Sequence, residues 1–179
     1  MSDPSNQPGT QRAGRAMLLF AWAGSLALLT LLFQDELESQ FNPNAEPLVQ
    51  RAQDGRQEVV LERNGQGHYV AGGAINGRPV TFLLDTGATD VALPEALAER
   101  LGLPRLGGGL TQTANGPVAV WQTELEAVSL GGITLHDVRA AIVPSMQAGD
   151  PVLLGMSFLR ELDFSQQGNT LTLKHAHQD

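Results

Sequence analysis

Apolar and polar positions divide the chain into three textures. From Ala16 to Gln34 no residue is charged, and Met17–Phe33 (MLLFAWAGSLALLTLLF) carries seven leucines and no polar face. At about 1.5 Å of rise per residue, such a run crosses most of a hydrocarbon layer about 30 Å thick, which predicts a transmembrane helix over residues 16–34. Residues 35–55 lose the periodicity. Asn42, Pro43, Asn44 and Pro47 stand among scattered charges, and the pattern predicts a linker with a short helix near Ala45–Gln53. Over residues 56–176 short apolar runs alternate with turn signals: Asn64-Gly65, Asn76-Gly77, Asn115-Gly116, Gly131-Gly132 and Gly168-Asn169. Asn-Gly between apolar runs is a strong hairpin signal, because both turn residues need positive φ. Strands at this spacing predict an all-β domain.

Single elements sharpen the picture. In Val118–Val128, Gln122, Glu124 and Glu126 alternate with Trp121, Leu125 and Ala127. This is a half-buried strand with an acidic solvated face; Trp121 either lines the cleft or fills the core, and its alternation with Leu125 favours the core. Ile133 and Leu135 are out of phase with Val138, Ala140 and Ile142, which predicts a bulge near His136-Asp137. Thr170–Leu173 alternates and closes the domain. One helix is expected from Pro94 to Leu101, with proline at its start and Gly102 beyond its end, and a second over Met156–Arg160.

The flanks of the long apolar run set its orientation. Arg12 and Arg15 precede it, while Asp35, Glu36 and Glu38 follow. The positive-inside rule then leaves residues 1–15 in the cytoplasm and the β-domain outside it. A cleavable signal peptide is the competing reading, but its apolar region is usually about 7–15 residues long and ends at a small-x-small site. Here Ala21-Trp22-Ala23 lies inside the run and no such triplet closely follows Phe33. Fully extended, the linker reaches about 70 Å, so whatever the domain acts on lies near the membrane.

Composition narrows the classes. At 179 residues the chain holds one core plus appendages. A net charge of −8, with Lys174 the single lysine, argues against nucleic acid as a partner. There is no cysteine, hence no disulfide framework and no thiolate chemistry. His175-Ala176-His177, His68 and His136 have no spacing matched to carboxylates, so neither a metal nor another cofactor is expected. Gly107-Gly108-Gly109 lacks the Lys-Ser/Thr of a phosphate loop.

The candidate chemistry lies in Phe82-Leu83-Leu84-Asp85-Thr86-Gly87-Ala88-Thr89. An apolar strand running straight into an acid gives that carboxylate a rigid mount. Gly87 allows a sharp turn and a close backbone approach, and the Thr86 hydroxyl can hold the turn. Leu84–Thr89, the later Val152-Leu153-Leu154-Gly155-Met156, and Thr113-Ala114-Asn115-Gly116 between them occur together in this order. In this the sequence resembles the retropepsin-like aspartic proteases, single-lobed relatives of pepsin, over roughly residues 60–175. The whole chain is similar to the membrane-anchored bacterial branch, in which a signal-anchor precedes the protease domain.

The resemblance implies a closed β-barrel lobe with one or two short helices, preceded by a transmembrane helix at the inner membrane, with the protease domain in the periplasm. It implies Asp85, Thr86 and Gly87 as the catalytic loop. Ala88 and the hairpin Thr113, Ala114, Asn115 and Gly116 would contact substrate as a flap, and the apolar-apolar-Gly element would pack behind the loop. Peptide hydrolysis then needs two carboxylates sharing one proton, one acting as base on water and the other as acid on the scissile carbonyl. The chain has a single Asp-Thr-Gly. Asp90, Asp150 and Asp163 lack the following Thr/Ser-Gly. A homodimer with Asp85 from each copy is therefore implied. Ala88 cannot donate a hydroxyl hydrogen bond to the carboxylate, so a milder acid optimum than in a serine-bearing relative is expected. The expected substrate is a protein or peptide near the membrane. A non-catalytic peptide-binding module on the same fold, and a metal-dependent hydrolase, are the rival classes.

Overall fold

A computed structural model describes residues 8–52, 55–113 and 116–176. The chain separates into two compact units at Glu38/Ser39. The first is occupied by helix α1, which runs Pro8–Phe41 and ends inside the second unit. Its Gly14–Phe33 stretch is exposed and is long and apolar enough to cross a membrane. By length and composition it can serve as a membrane anchor or a signal sequence. The helix outlasts the apolar run because residues 34–41 contain neither proline nor glycine, and the first proline comes at Pro43.

The second unit holds two sheets. The smaller is antiparallel, in the order β1 (Leu48–Arg51), β2 (Gln57–Glu62), β11 (Thr170–His175), β10 (Leu162–Gln167). The larger runs β3 (Val70–Ile75), β4 (Arg78–Leu84), β9 (Val152–Leu154), β5 (Val91–Pro94), β8 (Ile133–Val143), β7 (Gly116–Leu130), β6 (Gly107–Thr113). A second pairing of β3 with β7, Ala74↔Ser129 and Ile75↔Val128, closes six of these strands into a barrel and leaves β6 outside the ring. Helices α2 (Glu95–Leu101) and α3 (Met156–Leu159) are short, as expected, and Gly102 caps α2 in the left-handed conformation. Val59 and Leu61 of β2 and Leu173 of β11 join Phe82, Leu93, Leu125, Ile133 and Phe158 in one core, so the small sheet covers the barrel.

Four expectations meet a different outcome. Residues 39–51 are not a free linker. They belong to the second unit, and the short helix expected near Ala45–Gln53 is replaced by β1, because Leu48 and Val49 favour strand and β2 offers an open edge. Asn64-Gly65 makes a turn, Gly67 N–H donating to the Asn64 carbonyl at 2.9 Å, but joins strands that do not pair with each other. By contrast Asn76-Gly77 is a true two-residue hairpin, with φ of 49° and 74° between the pair Ile75↔Arg78. The expected bulge at His136-Asp137 is a double switch. Register is the same on both sides, Leu125↔Val138 and Ala127↔His136, and both strands change buried face together. Asp137 takes φ 54° there, and Asn76 exchanges two bonds with Ala127 (2.9 and 3.1 Å), pinning the barrel closure to the switch. Finally, Trp121 is 39% exposed although it pairs with buried Ile142, because its other neighbour, Gly108 of β6, has no side chain to cover it.

Candidate active site

The carboxylate of Asp85 is mounted where β4 emerges between β3 and β9. Leu84 N–H donates to the Tyr69 carbonyl at 3.0 Å on one side, and Asp85 N–H to the Leu154 carbonyl at 3.2 Å on the other. Both neighbouring strands thus hold the strand end in place. The chain then turns tightly: Gly87 N–H donates to Asp85 Oδ1 at 2.8 Å and Ala88 N–H to the Asp85 carbonyl at 3.2 Å. A Cβ on Gly87 would sit 3.1 Å from that same Oδ1, which explains glycine at this position. Thr86 points outward at the rim, so in one copy of the chain the turn is held by backbone amides and the carboxylate itself.

The loop is fastened from behind by α3. Met156 N–H donates to the Ala88 carbonyl at 2.8 Å and Ser157 N–H to the Thr89 carbonyl at 2.9 Å. Gly155 permits this, since a Cβ there would run into the carbonyls of Asp90 and Ala88. Ser157, 7% exposed, accepts from Val91 N–H at 3.0 Å and donates to the Arg139 carbonyl at 2.8 Å. One hydroxyl therefore ties β5, α3 and β8 together behind the acid. Sequence reasoning missed Ser157. Its only signal was a lone polar residue between Met156 and Phe158. The apolar element Val152–Leu154 does lie against the loop, through Leu83↔Leu153 and Leu84↔Leu154 in parallel register.

A cavity of about 370 Å³ opens at Asp85, lined by Tyr69, Leu84, Thr86, Leu159, Phe164 and Leu171 among others. Asp85 is the one carboxylate among its lining residues. The other candidate acids are engaged elsewhere: Asp90 faces Arg139 at 3.5 Å, Asp163 faces Arg56 at 3.7 Å, and Asp150 Oδ2 accepts Gln147 N–H at 2.8 Å. Tyr69 Oη is shielded from solvent without a hydrogen-bond partner, and the Arg63 guanidinium lies 5.3 Å from the centre of its ring. A larger cavity of about 520 Å³, bordered by Ala45, Gly72, Thr81, Arg100 and Pro151, does not include the Asp85 loop.

From Leu83, two residues before the acid, an apolar ladder crosses the outside of the barrel: Leu83↔Leu153, Leu153↔Ala92, Ala92↔Ala141. It continues into a separate cluster of Val120, Ala141 and Val143 with Val118 and Met146. This leads to the middle of the β6–β7 hairpin; its last described pair, Thr113 with Gly116 at φ 106°, flanks the tip. The tip residues Ala114 and Asn115 lie outside the described residues. Arg105 fixes the hairpin base to α2 through Glu95 (2.6 Å) and Glu99 (3.4 Å), with Trp121 5.8 Å away.

The sequence profile described as gag-polyprotein putative aspartyl protease matches residues 71–161, just over half of the chain. Curated relatives include an uncharacterized protein in the cobV 5′ region of Sinorhizobium sp, 34% identical over 116 residues that make up 63% of this chain and 49% of the relative. Another is an uncharacterized protein of Rickettsia prowazekii (strain Madrid E), 32% identical over 105 residues, 57% of this chain and 44% of the relative. The chain thus spans about half the length of the curated relatives it matches. Among solved structures, a retropepsin-like aspartic protease from Rickettsia conorii superposes with a TM-score of 0.54 at 25% identity, covering 73% of this chain and 95% of that one.

Proposed function

Because the chain belongs to the retropepsin-like aspartyl protease family, we propose that it is a membrane-tethered aspartic endopeptidase that works as a homodimer, with Asp85 of each copy flanking one water. The observation that carries this reading is the mount of Asp85: a carboxylate held by both neighbouring strands, opening on a cavity that no other acid lines. Two such groups about 3 Å apart share one proton. The ionised one draws a proton from water as the water attacks, and the protonated one donates to the scissile carbonyl oxygen.

The place of the second copy is supported by β10. It is an edge strand with one neighbour, and all but its first residue are exposed. Phe164-Ser165-Gln166-Gln167 carries no charge or proline, the usual guards of an open edge. Phe164, 49% exposed, and Gln166 line the Asp85 cavity. A two-fold axis joining two Asp85 residues passes close to β10, so its mate is the natural partner for that edge. On the far side, the Leu83–Leu153–Ala92–Ala141 ladder would receive apolar side chains beside the scissile bond, with the β6–β7 hairpin above them. The anchor holds the domain outside the cytoplasm, with the N-terminus inside, and raises the local concentration of two copies. Substrates are then proteins or peptides near the membrane.

The decisive experiment compares the wild type with Asp85→Asn against a membrane-protein extract, reading new termini by mass spectrometry. Loss of all new termini in the variant, with folding kept, supports the enzyme. Identical termini in both would reject it. Dilution adds a second test: specific activity should fall as dimers dissociate, and a strictly proportional rate down to nanomolar enzyme argues against the shared site. The open edge of β6 also suits strand addition by an extended peptide without cleavage. Peptide binding retained by the wild type with no turnover at any concentration would favour that second reading.

A further inference from the structure

The segment between the helix and the barrel is bonded too thoroughly for a spacer. Asn44 is 4% exposed and its amide is fully engaged. Nδ2 donates to the Val70 carbonyl at 2.7 Å and the Glu62 carbonyl at 2.9 Å, while Oδ1 accepts Glu62 N–H at 2.6 Å. Its backbone carbonyl accepts Gly72 N–H at 2.8 Å, and its own N–H donates to Asn42 Oδ1 at 3.1 Å. One side chain thus joins the end of β2, in the small sheet, to the start of β3, in the barrel. Gly72 leaves room for the crossing, since a Cβ there would strike the Ala45 carbonyl. A second asparagine, Asn64, also buried, donates to the Phe41 carbonyl at 2.9 Å and accepts Gln66 and His68 N–H at 3.0 Å each. Asn64 anchors the same segment and bonds His68, two residues before β3, in place of Val70.

The two anchors differ in where they lead. Val70, which Asn44 holds, pairs with Leu83, and the Tyr69 carbonyl just before it accepts Leu84 N–H at 3.0 Å. Asn44 is therefore one residue from the bond that fixes the strand end carrying Asp85. We propose that residues 41–51 form a strap that is part of the catalytic domain, and that Asn44 is a positioning residue for Asp85, acting through Val70 and Tyr69. The inference rests on the proteolytic reading for its kinetic consequence but not for its structural one. It also moves the domain boundary: residues 41–51 count with the protease domain and not with a linker over residues 35–55.

The test uses the full chain in detergent, comparing Asn44→Ala with Asn64→Ala. Both loosen the strap and both free a neighbour of Tyr69, Val70 in the first and His68 in the second, but only the first releases β3 itself. Amide hydrogen exchange at Leu84 and Asp85 should quicken at least about tenfold in Asn44→Ala and stay within about twofold of wild type in Asn64→Ala. With substrate, kcat should fall roughly tenfold or more in Asn44→Ala with KM little changed, within the hundredfold that a 1 Å misplacement can cost. Asn64→Ala should lower the melting temperature and leave kcat within about twofold. Should Asn44→Ala not fold, Asn44→Ser keeps one hydroxyl bond and is expected to show the same pattern more weakly. Equal exchange at Leu84 and Asp85 in the two anchor variants would overturn the proposal, as would kcat losses that merely track melting temperature. If the wild type cuts nothing, the proteolytic reading fails while the exchange data still decide the role of Asn44.

Discussion

The Asp85 loop and the β6–β7 hairpin face the same apolar ladder but are built on opposite terms. Around the loop, the amides of Leu84, Asp85, Gly87, Ala88, Met156 and Ser157 find partners at Tyr69 just before β3, in β9 or in the loop itself, and the strand behind it lies between two neighbours. The hairpin strand β6 has β7 alone beside it, begins with three glycines after exposed Leu106, and shows Leu110 to solvent at 76% exposure. A group that must meet a water at a fixed distance needs an over-determined mount. A strand that must admit and then cover a peptide needs few fixed neighbours and spare apolar surface. On the proposed reading, the difference between the two regions is that between a rigid floor and an adaptable roof.

Three changes test that division, the largest effect first. Ser157→Ala leaves Val91 N–H and the Arg139 carbonyl buried without their partner behind the floor. It should lower unfolding free energy by about 1–3 kcal/mol in urea titrations and depress kcat with it. A loss under ~0.5 kcal/mol would mean that the loop does not depend on this staple. Leu110→Ala in the roof should leave stability within about 0.5 kcal/mol and raise KM several-fold. An unchanged KM would remove the hairpin from substrate binding. Ala88→Ser is the smallest. A hydroxyl able to donate to the Asp85 carboxylate favours its charged form, so the acid limb of the pH–rate profile should move to lower pH, by about one unit or less. An unmoved limb would show that residue 88 does not reach the carboxylate.

Most of the floor could be read from the chain because its signals are local. Apolar Phe82–Leu84 running into Asp85-Thr86-Gly87 marks a strand end and a tight turn within six residues. Asn76-Gly77, Gly131-Gly132 and Gly168-Asn169 each join strands that do pair. Pro94 and Gly102 bracket α2. The roof was half legible. The strands on either side of the expected tip do pair, the tip itself lying outside the described residues, yet alternation favoured Trp121 inward, because period two reports a face and not whether anything covers that face. Asn44 and Ser157 were invisible as connectors. A lone polar residue gives no hint of its partners when those are 26 residues away, as for Asn44 and Val70, or 66 away, as for Ser157 and Val91.

What the chain determined by itself is whatever two or three adjacent residues can enforce: left-handed φ at the turns, alternation along the strands, an uncharged run long enough for a bilayer, and an acid placed at a strand's end. What only the folded molecule decided is which distant backbones meet. Leu83 beside Leu153, the β3–β7 closure and the Asn44 bridge all depend on burial excluding water. A carbonyl or amide that loses its solvent must then bond to whichever partner the packing brings, and no local rule names that partner.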